Sequence, residues 1–272
     1  MSKNLFDKLG DRMKNYENVE RRYLTKRIPT IIRVDGRAFH SFTKGFQKPF
    51  DIILMEAMWN TAKYLCENVM GCKIAYVQSD EISLLLTDYD NINTQAWFNK
   101  NIQKMCSISA SMATIAFNKA FSLVIGKYYD EWIDHYHEYS SKENEIKKEQ
   151  FNVYIRKEDT ATFDSRVFNI PKEEVCNYFI WRQQDATRNA IQMVDRANFS
   201  HKQLQNKKCN QIQDLLFVEK GIDFNDFPVY QKYGVCIIKE SYDKDGTQRT
   251  RWVVDKNIPI FIKDRNYIDR YI

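Results

Sequence analysis

The strongest constraint on the fold is a pair of short apolar runs, Lys73 to Val77 (KIAYV) and Ile82 to Leu86 (ISLLL), separated by Gln78-Ser79-Asp80-Glu81. Each run is too short for a helix, and a polar tip of this length is what an antiparallel hairpin needs. Ile28 to Val34 (IPTIIRV) supplies another strand, which ends at the turn formers Asp35-Gly36 and so delivers an aspartate at its C-terminal end. Between them, Leu54, Met58, Ala62, Leu65 and Val69 recur every three or four positions through Phe50 to Met70, until Gly71 stops the pattern. That spacing predicts a helix with one buried face. Gln95 to Phe121 reads as a second helix and Ala161 to Ile170 as a further strand. The order strand, helix, strand, strand, helix, strand is the split βαβ arrangement of ferredoxin-like folds. The expected class is therefore α+β, an antiparallel sheet with helices on one face.

The flanking segments are read more coarsely. The first twenty-five residues place Leu5, Leu9, Met13 and Tyr16 at helical spacing, which predicts an amphipathic helix packed on the body. Residues 140–150 (SSKENEIKKEQ) are nearly all polar and read as a surface arm or mobile connection, leaving 1–139 and 151–272 as a single catalytic domain with helical and C-terminal extensions. Lys172 to Phe199 and His201 to Lys220 read as helical, and Tyr233 to Lys239 and Thr250 to Val254 as strands.

Composition narrows the function classes. With 43% hydrophobic residues and only 8 Gly and 5 Pro, neither wholesale disorder nor a loop-rich secreted scaffold fits. There is no run of eighteen apolar residues and no apolar core of a signal peptide near the N-terminus, so the expectation is no membrane and a cytoplasmic setting, with an organelle left open. Six cysteines lie apart without a C-x-x-C pair, which suits reduced core thiols, and His135 and His137 have no cysteine nearby to complete a zinc site. Lys and Arg exceed Asp and Glu by 41 to 36, a weak pull towards polyanions.

Asp35 at a strand end and Asp80 with Glu81 at the hairpin tip come together if the first and hairpin strands are neighbours. Such carboxylates would make a site for magnesium, and two ions would suit nucleotidyl transfer. Adjacent residues on a strand face opposite ways, so Asp80 is favoured as ligand and Glu81 as support. Taken separately, Asp-Gly is an ordinary turn and Ser-Asp an ordinary cap, and spacing leaves both readings open. Arg33 and Arg37 beside Asp35, with Lys44 and Lys48 in the following loop, suit a magnesium triphosphate. His40, between Phe39 and Phe42, would touch a base or fill a half-buried slot.

Arg33-Val-Asp-Gly-Arg-Ala-Phe-His40 with Phe42, Lys48-Pro49 and Asp51, Tyr76-Val-Gln-Ser-Asp-Glu81 with Ser83, Phe163-Asp-Ser-Arg166, and Trp181-Arg-Gln-Gln-Asp185 together resemble the tRNA-histidine guanylyltransferase family, in order over roughly residues 28 to 240. The resemblance implies a polymerase-like palm that adds nucleotides in the 3′-to-5′ direction to the 5′ end of tRNA, usually as a homotetramer. It makes Asp35 and Asp80 the ligands of two Mg2+ ions together with the carbonyl of Gly36, and Glu81 an essential acidic neighbour. It lines the nucleotide with Asp35, Gly36, Arg37, Ala38, Phe39, His40, Ser79 and Asp80, and puts Arg33, Lys48 and Lys104 on phosphates, with Asp51 supporting the Lys48 loop. The implied chemistry activates the tRNA 5′-phosphate with ATP, then joins the 3′-hydroxyl of GTP with release of AMP, and removes pyrophosphate.

One block departs from the family pattern. Eukaryotic members carry His-Ile-Asn-Asn-Leu-Tyr-Asn soon after the Trp-Arg-Gln segment, whereas this chain reads Thr187-Arg-Asn-Ala-Ile-Gln-Met193. That absence resembles the guanylyltransferase-like branch of bacteria, archaea and some protist organelles, and it implies template-dependent repair of 5′-truncated tRNA. The alternatives are addition of a single G at position −1 of tRNA-histidine, a noncatalytic RNA-binding subunit, and, more distantly, a palm-type nucleotide cyclase. For the RNA, Arg182, Arg188, Arg196, Lys202, Lys207 and Lys208 are candidate phosphate contacts, each weighed against a solvated helix face.

Overall fold

Alternation along β1 (Thr30–Gly36) sends Ile32 and Val34 to one face of a sheet and Ile31, Arg33 and Asp35 to the other in the computed structural model of the chain, which describes residues 3–205 and 209–272. The hairpin strands β2 (Cys72–Gln78) and β3 (Glu81–Leu86) and the later β4 (Phe163–Asn169) join it in antiparallel register. Two more strands, β5 (Val235–Lys244) and β6 (Thr247–Asp255), extend the sheet beyond β2, giving the order β4-β1-β3-β2-β5-β6. The tail therefore contributes two sheet strands, longer than the apolar runs that predict them.

The helices in chain order are α1 (Lys3–Val19), the single turn α2 (Phe39–Phe42), α3 (Ile52–Asn68), α4 (Ile102–Asp134), α5 (Ser141–Ile155), α6 (Val175–Asn198), α7 (His201–Leu204), α8 (Cys209–Lys220), α9 (Val229–Tyr233) and α10 (Asn266–Asp269). Helices α3 and α4 cover the Ile32 face, where Phe39, Phe42, Phe46, Phe117 and Phe121 pack ring against ring. Helices α6 and α10 cover the Ile31 face through Val175, Phe179 and Ile268 against Ile74, Tyr76 and Leu85. The expectation of helices on one face is thus corrected. The runs IPTIIRV and ISLLL are almost continuously apolar because their strands are buried on both sides.

Three flanking readings also change. Helix α1 forms, but Leu9, Met13, Tyr16 and Val19 stay exposed, so its described side chains do not pack on the body. Residues 140–150 are a surface helix rather than a loose arm: Ser140 and Glu143 close a capping box at the start of α5, and Asn144, Phe151 and Tyr154 are buried. The second helix runs to Asp134, well past Phe121. By length and hydropathy α4 resembles a membrane span, yet Ala113, Ala116, Phe117, Ala120, Phe121 and Val124 are buried along one side of it, as in a core helix.

Candidate active site

Strand register lines up the charged residues in two rows on the α6 side of the sheet. In the outer row Asp164, Asp35, Glu81 and Gln78 follow one another across β4, β1, β3 and β2, and in the next row stand Arg166, Arg33, Ser83 and Tyr76. The hairpin tip is only Ser79-Asp80, tighter than the four-residue tip expected, with Ser79 in the left-handed region at φ 49°. It folds Asp80 back onto β1, where the Gly36 N–H donates to the Asp80 carbonyl at 3.0 Å. Position 36 has no room for a side chain, since a Cβ there would lie 2.3 Å from the Phe39 ring. Ala38, at φ 55°, then starts α2 and turns His40 outward while Phe39 enters the core.

Glu81 and the aspartates have different electrostatic surroundings. Arg182 of α6 donates from Nε to Glu81 Oε1 at 2.7 Å and from a terminal nitrogen to Oε2 at 2.8 Å, in a bidentate pair buried on both sides. Arg33 lies 4.0 Å from the same carboxylate, so this cation faces Glu81 beneath the site rather than open solvent. Burial raises the Glu81 carboxyl against the opposing pull of Arg182. Asp80 has no such cation: burial, then the charge of Asp35, pushes its carboxyl up to about 6. Asp35 is also raised, by burial first and Asp164 second, against the opposing pull of the half-exposed Arg166 at 3.9 Å and then of Arg33 and Arg182. Two carboxylates left short of positive charge are a donor set that fits a hard divalent cation. Among the described residues no three His, Cys, Asp or Glu side chains converge on one point, so such an ion would take backbone oxygen and water for its remaining ligands.

Asp35 and Asp80 open into a cleft of about 490 Å3, whose lining also includes His40, Thr43, Ser79, Asp185, Asn189, Gln192 and Arg196. A narrower apolar slot adjoins it, walled by Phe50, Met55, Met58, Trp59 and Tyr230 and sharing Gln78, Ser79, Asn189 and Met193 with the cleft. A family model described as Thg1, tRNAHis guanylyltransferase, matches residues 10–171.

The chain belongs to this family. It is a nucleotidyltransferase by that membership. It is 47% identical to a bacterial tRNA(His) guanylyltransferase (Thg1)-like protein solved in complex with ATP, with TM-score 0.80 over 97% of this chain and 98% of the other. The GTP complex described under the same title gives 45% identity, TM-score 0.76 and the same coverage. A tRNA(His) guanylyltransferase of Debaryomyces hansenii is 28% identical over 79% of this chain and 76% of its own length.

Within this guanylyltransferase-family chain the candidate residues divide. Asp35, Phe39, His40, Ser79, Asp80 and Glu81 line the cleft, and Gly36 and Ala38 shape its floor. Arg37 is exposed, its amide held by the Thr162 carbonyl. Lys48 and Lys104 are exposed but lie outside the lining residues. Asp51 anchors the Lys48 loop by accepting from the amides of Gln47 and Leu54, both at 2.9 Å, and from the Tyr154 hydroxyl at 2.6 Å. Of the RNA candidates, Arg182 is corrected: it is buried in the cleft wall, paired with Glu81, rather than exposed on a helix face. Arg188 is exposed and pairs with Asp185 at 2.7 Å, while Arg196 and Lys202 are exposed. Lys207 and Lys208 lie outside the described residues. Sequence reasoning assigned no role to Asp164, Asp185, Asn189, Gln192 or Met193. Helical spacing carried the signal for the last four, because 178, 182, 185, 189, 192, 193 and 196 share one face of α6.

Proposed function

We propose that this chain is a magnesium-dependent 3′-to-5′ nucleotidyltransferase that adds template-matched nucleotides to the 5′ ends of truncated tRNAs, using ATP and GTP. The observation that carries the proposal is the pairing of Asp35 with Asp80 in an open cleft where both carboxyls are raised by burial and, among the described residues, neither is held in a close buried ion pair like that of Glu81 with Arg182. The β1-α3-β2-β3-α4-β4 connectivity and the β4-β1-β3-β2 order support a ferredoxin-like palm as the scaffold. The ATP and GTP complexes of the bacterial relatives support triphosphate binding, and the absent eukaryotic block supports the repair branch.

The residues divide the work as follows. Asp35 and Asp80, with the Gly36 carbonyl, would hold two Mg2+ ions, which when bound favour ionisation of an attacking hydroxyl and offset charge on the reacting phosphate. The apolar slot at Met55, Met58 and Trp59 suits the face of a base, with Gln78 and Asn189 at its mouth for edge contacts. His40 and Ser79 border the triphosphate, and Arg37, Lys48 and Lys104 supply exposed positive charge. Arg188, Arg196 and Lys202 on α6 and α7 extend the basic surface towards the RNA, which an acceptor stem would meet through its backbone. We read the assembly as a cytoplasmic homotetramer. Ile108, Ile115 and Leu123, exposed along α4, give it apolar surface to cover.

The test is extension of a 5′-monophosphorylated tRNA lacking its first nucleotide, with Mg2+, ATP and labelled GTP, beside full-length tRNA-histidine of the same 5′ chemistry. Template-matched restoration of the truncated tRNA is expected to dominate. A single guanosine added preferentially to tRNA-histidine would overturn the repair reading in favour of guanylation.

A further inference from the structure

We infer that Arg182 is a positioning residue that holds Glu81 off the metal site and thereby sets Asp80 against Asp35. The inference rests on the reading of Asp35 and Asp80 as the metal-binding pair. Both Glu81 oxygens are engaged, Oε1 by Arg182 Nε at 2.7 Å and Oε2 by an Arg182 terminal nitrogen at 2.8 Å. The guanidinium is itself fixed from three sides: it donates to Asp185 at 2.9 Å, lies 4.4 Å from the Trp181 ring centre, and is enclosed so that Arg182 is only 6% exposed. Below it the Tyr178 and Ser83 hydroxyls meet at 2.7 Å, tying the same helix face to the same strand one rung further in.

Glu81 is the first residue of β3 and the neighbour of Asp80, so the ion pair clamps the hairpin at the point where the tip leaves the ladder. Charges within this network balance locally. Glu81 faces Arg182 and Arg33, and Asp185 faces Arg182 and Arg188, which leaves Asp80 without an ion pair among the described residues and Asp35 with only the half-exposed Arg166 within 4 Å, so these two acids are the ones available to a cation. Removing the Arg182 guanidinium would leave Glu81 buried without its bidentate partner, one strand from Asp35, where its charge either turns towards the metal pair or displaces the tip. Neutralising both members together removes that conflict.

The experiment measures Mn2+ binding by electron paramagnetic resonance on the free protein, without RNA or nucleotide, alongside the Mg2+ dependence of nucleotide addition and the Kd for tRNA. Arg182→Met is expected to change Mn2+ affinity at least threefold and to lower kcat at least tenfold, with tRNA Kd within twofold of the parent. Arg182→Lys is expected to fall between, because it keeps the charge and loses the fork. The Glu81→Gln/Arg182→Met double variant is expected to return Mn2+ affinity to within twofold of the parent, and it keeps the test open if Arg182→Met alone fails to fold. Unchanged Mn2+ binding in Arg182→Met, or a double variant no closer to the parent than the single one, overturns the positioning role. A tenfold loss of tRNA affinity with metal binding intact would make Arg182 an RNA contact instead. If the parent protein binds no Mn2+ and adds no nucleotide, the metal-site reading itself fails, a result separate from any difference among the variants.

Discussion

At Asp35 and Asp80 the folded chain holds two carboxylates in an arrangement that favours losing their charge, since both are raised by burial and by acidic neighbours. Removing one relieves that repulsion, so Asp35→Ala and Asp80→Ala are expected to abolish nucleotide addition, by at least about a thousandfold, while the Tm of the metal-free protein holds or rises. Single-turnover extension and a melting curve on the same preparation check both halves. Asp195 makes a second residue-scale case, away from the cleft. It is 1% exposed, neither carboxylate oxygen has a hydrogen-bond partner among the described residues, and burial pushes it up to about 6. A carboxyl raised on folding contributes stability that is present below about pH 4 and lost as the pH rises through about 6. Asp195→Asn should therefore stabilise the protein by on the order of 1–2 kcal/mol at pH 7.5, with the gain gone by about pH 4. Equal effects at the two pH values would refute the buried-charge account.

Elements show where the sequence was readable and where it was not. The hairpin, helix α3 and the strand at 163–169 were legible because local apolar period and turn residues agree with the final packing. The acid pair was legible for the same reason: one aspartate stands at the end of a strand and the other at a hairpin tip, both of which pattern alone locates. The location of Arg182 was not, because a lone arginine on a helix looks the same whether it meets phosphate or a buried glutamate. Helix α5 was hidden by composition, since its buried Phe151 and Tyr154 come after the polar run while its capping signal, Ser140 and Glu143, sits inside it. Tyr154 also bonds Asp51, which caps α3, so one carboxylate joins two helices and the Lys48 loop. Asp51→Ala is expected to cost about 2–4 kcal/mol by urea denaturation, through loss of the cap and an unsatisfied buried hydroxyl, against about 1 kcal/mol for Tyr154→Phe. A Tyr154→Phe loss as large as that of Asp51→Ala would show that the hydroxyl, not the cap, carries the linkage.

For the whole molecule, a sheet buried on both faces separates stability from chemistry: the α3/α4 side is almost wholly apolar, and the α6 side changes from apolar to ionic along each strand. Helix α6 follows the same gradient, with Val175 and Phe179 in the core and Arg196 at the cleft mouth. The modest net charge of +5 then matters less than its placement. Arg196→Ala and Lys202→Ala are each expected to weaken tRNA binding similarly across sequences and to reduce the slope of log K against log salt by about 0.7–0.9, whereas Arg182→Met leaves the slope alone. Filter binding at several salt concentrations separates these outcomes. The Gly36 amide, bonded to the Asp80 carbonyl, spans the two segments that carry the aspartates. Its exchange with deuterium, followed by NMR on a glycine-labelled sample, therefore gives a clock for how often the two aspartates part company, readable with no substrate present.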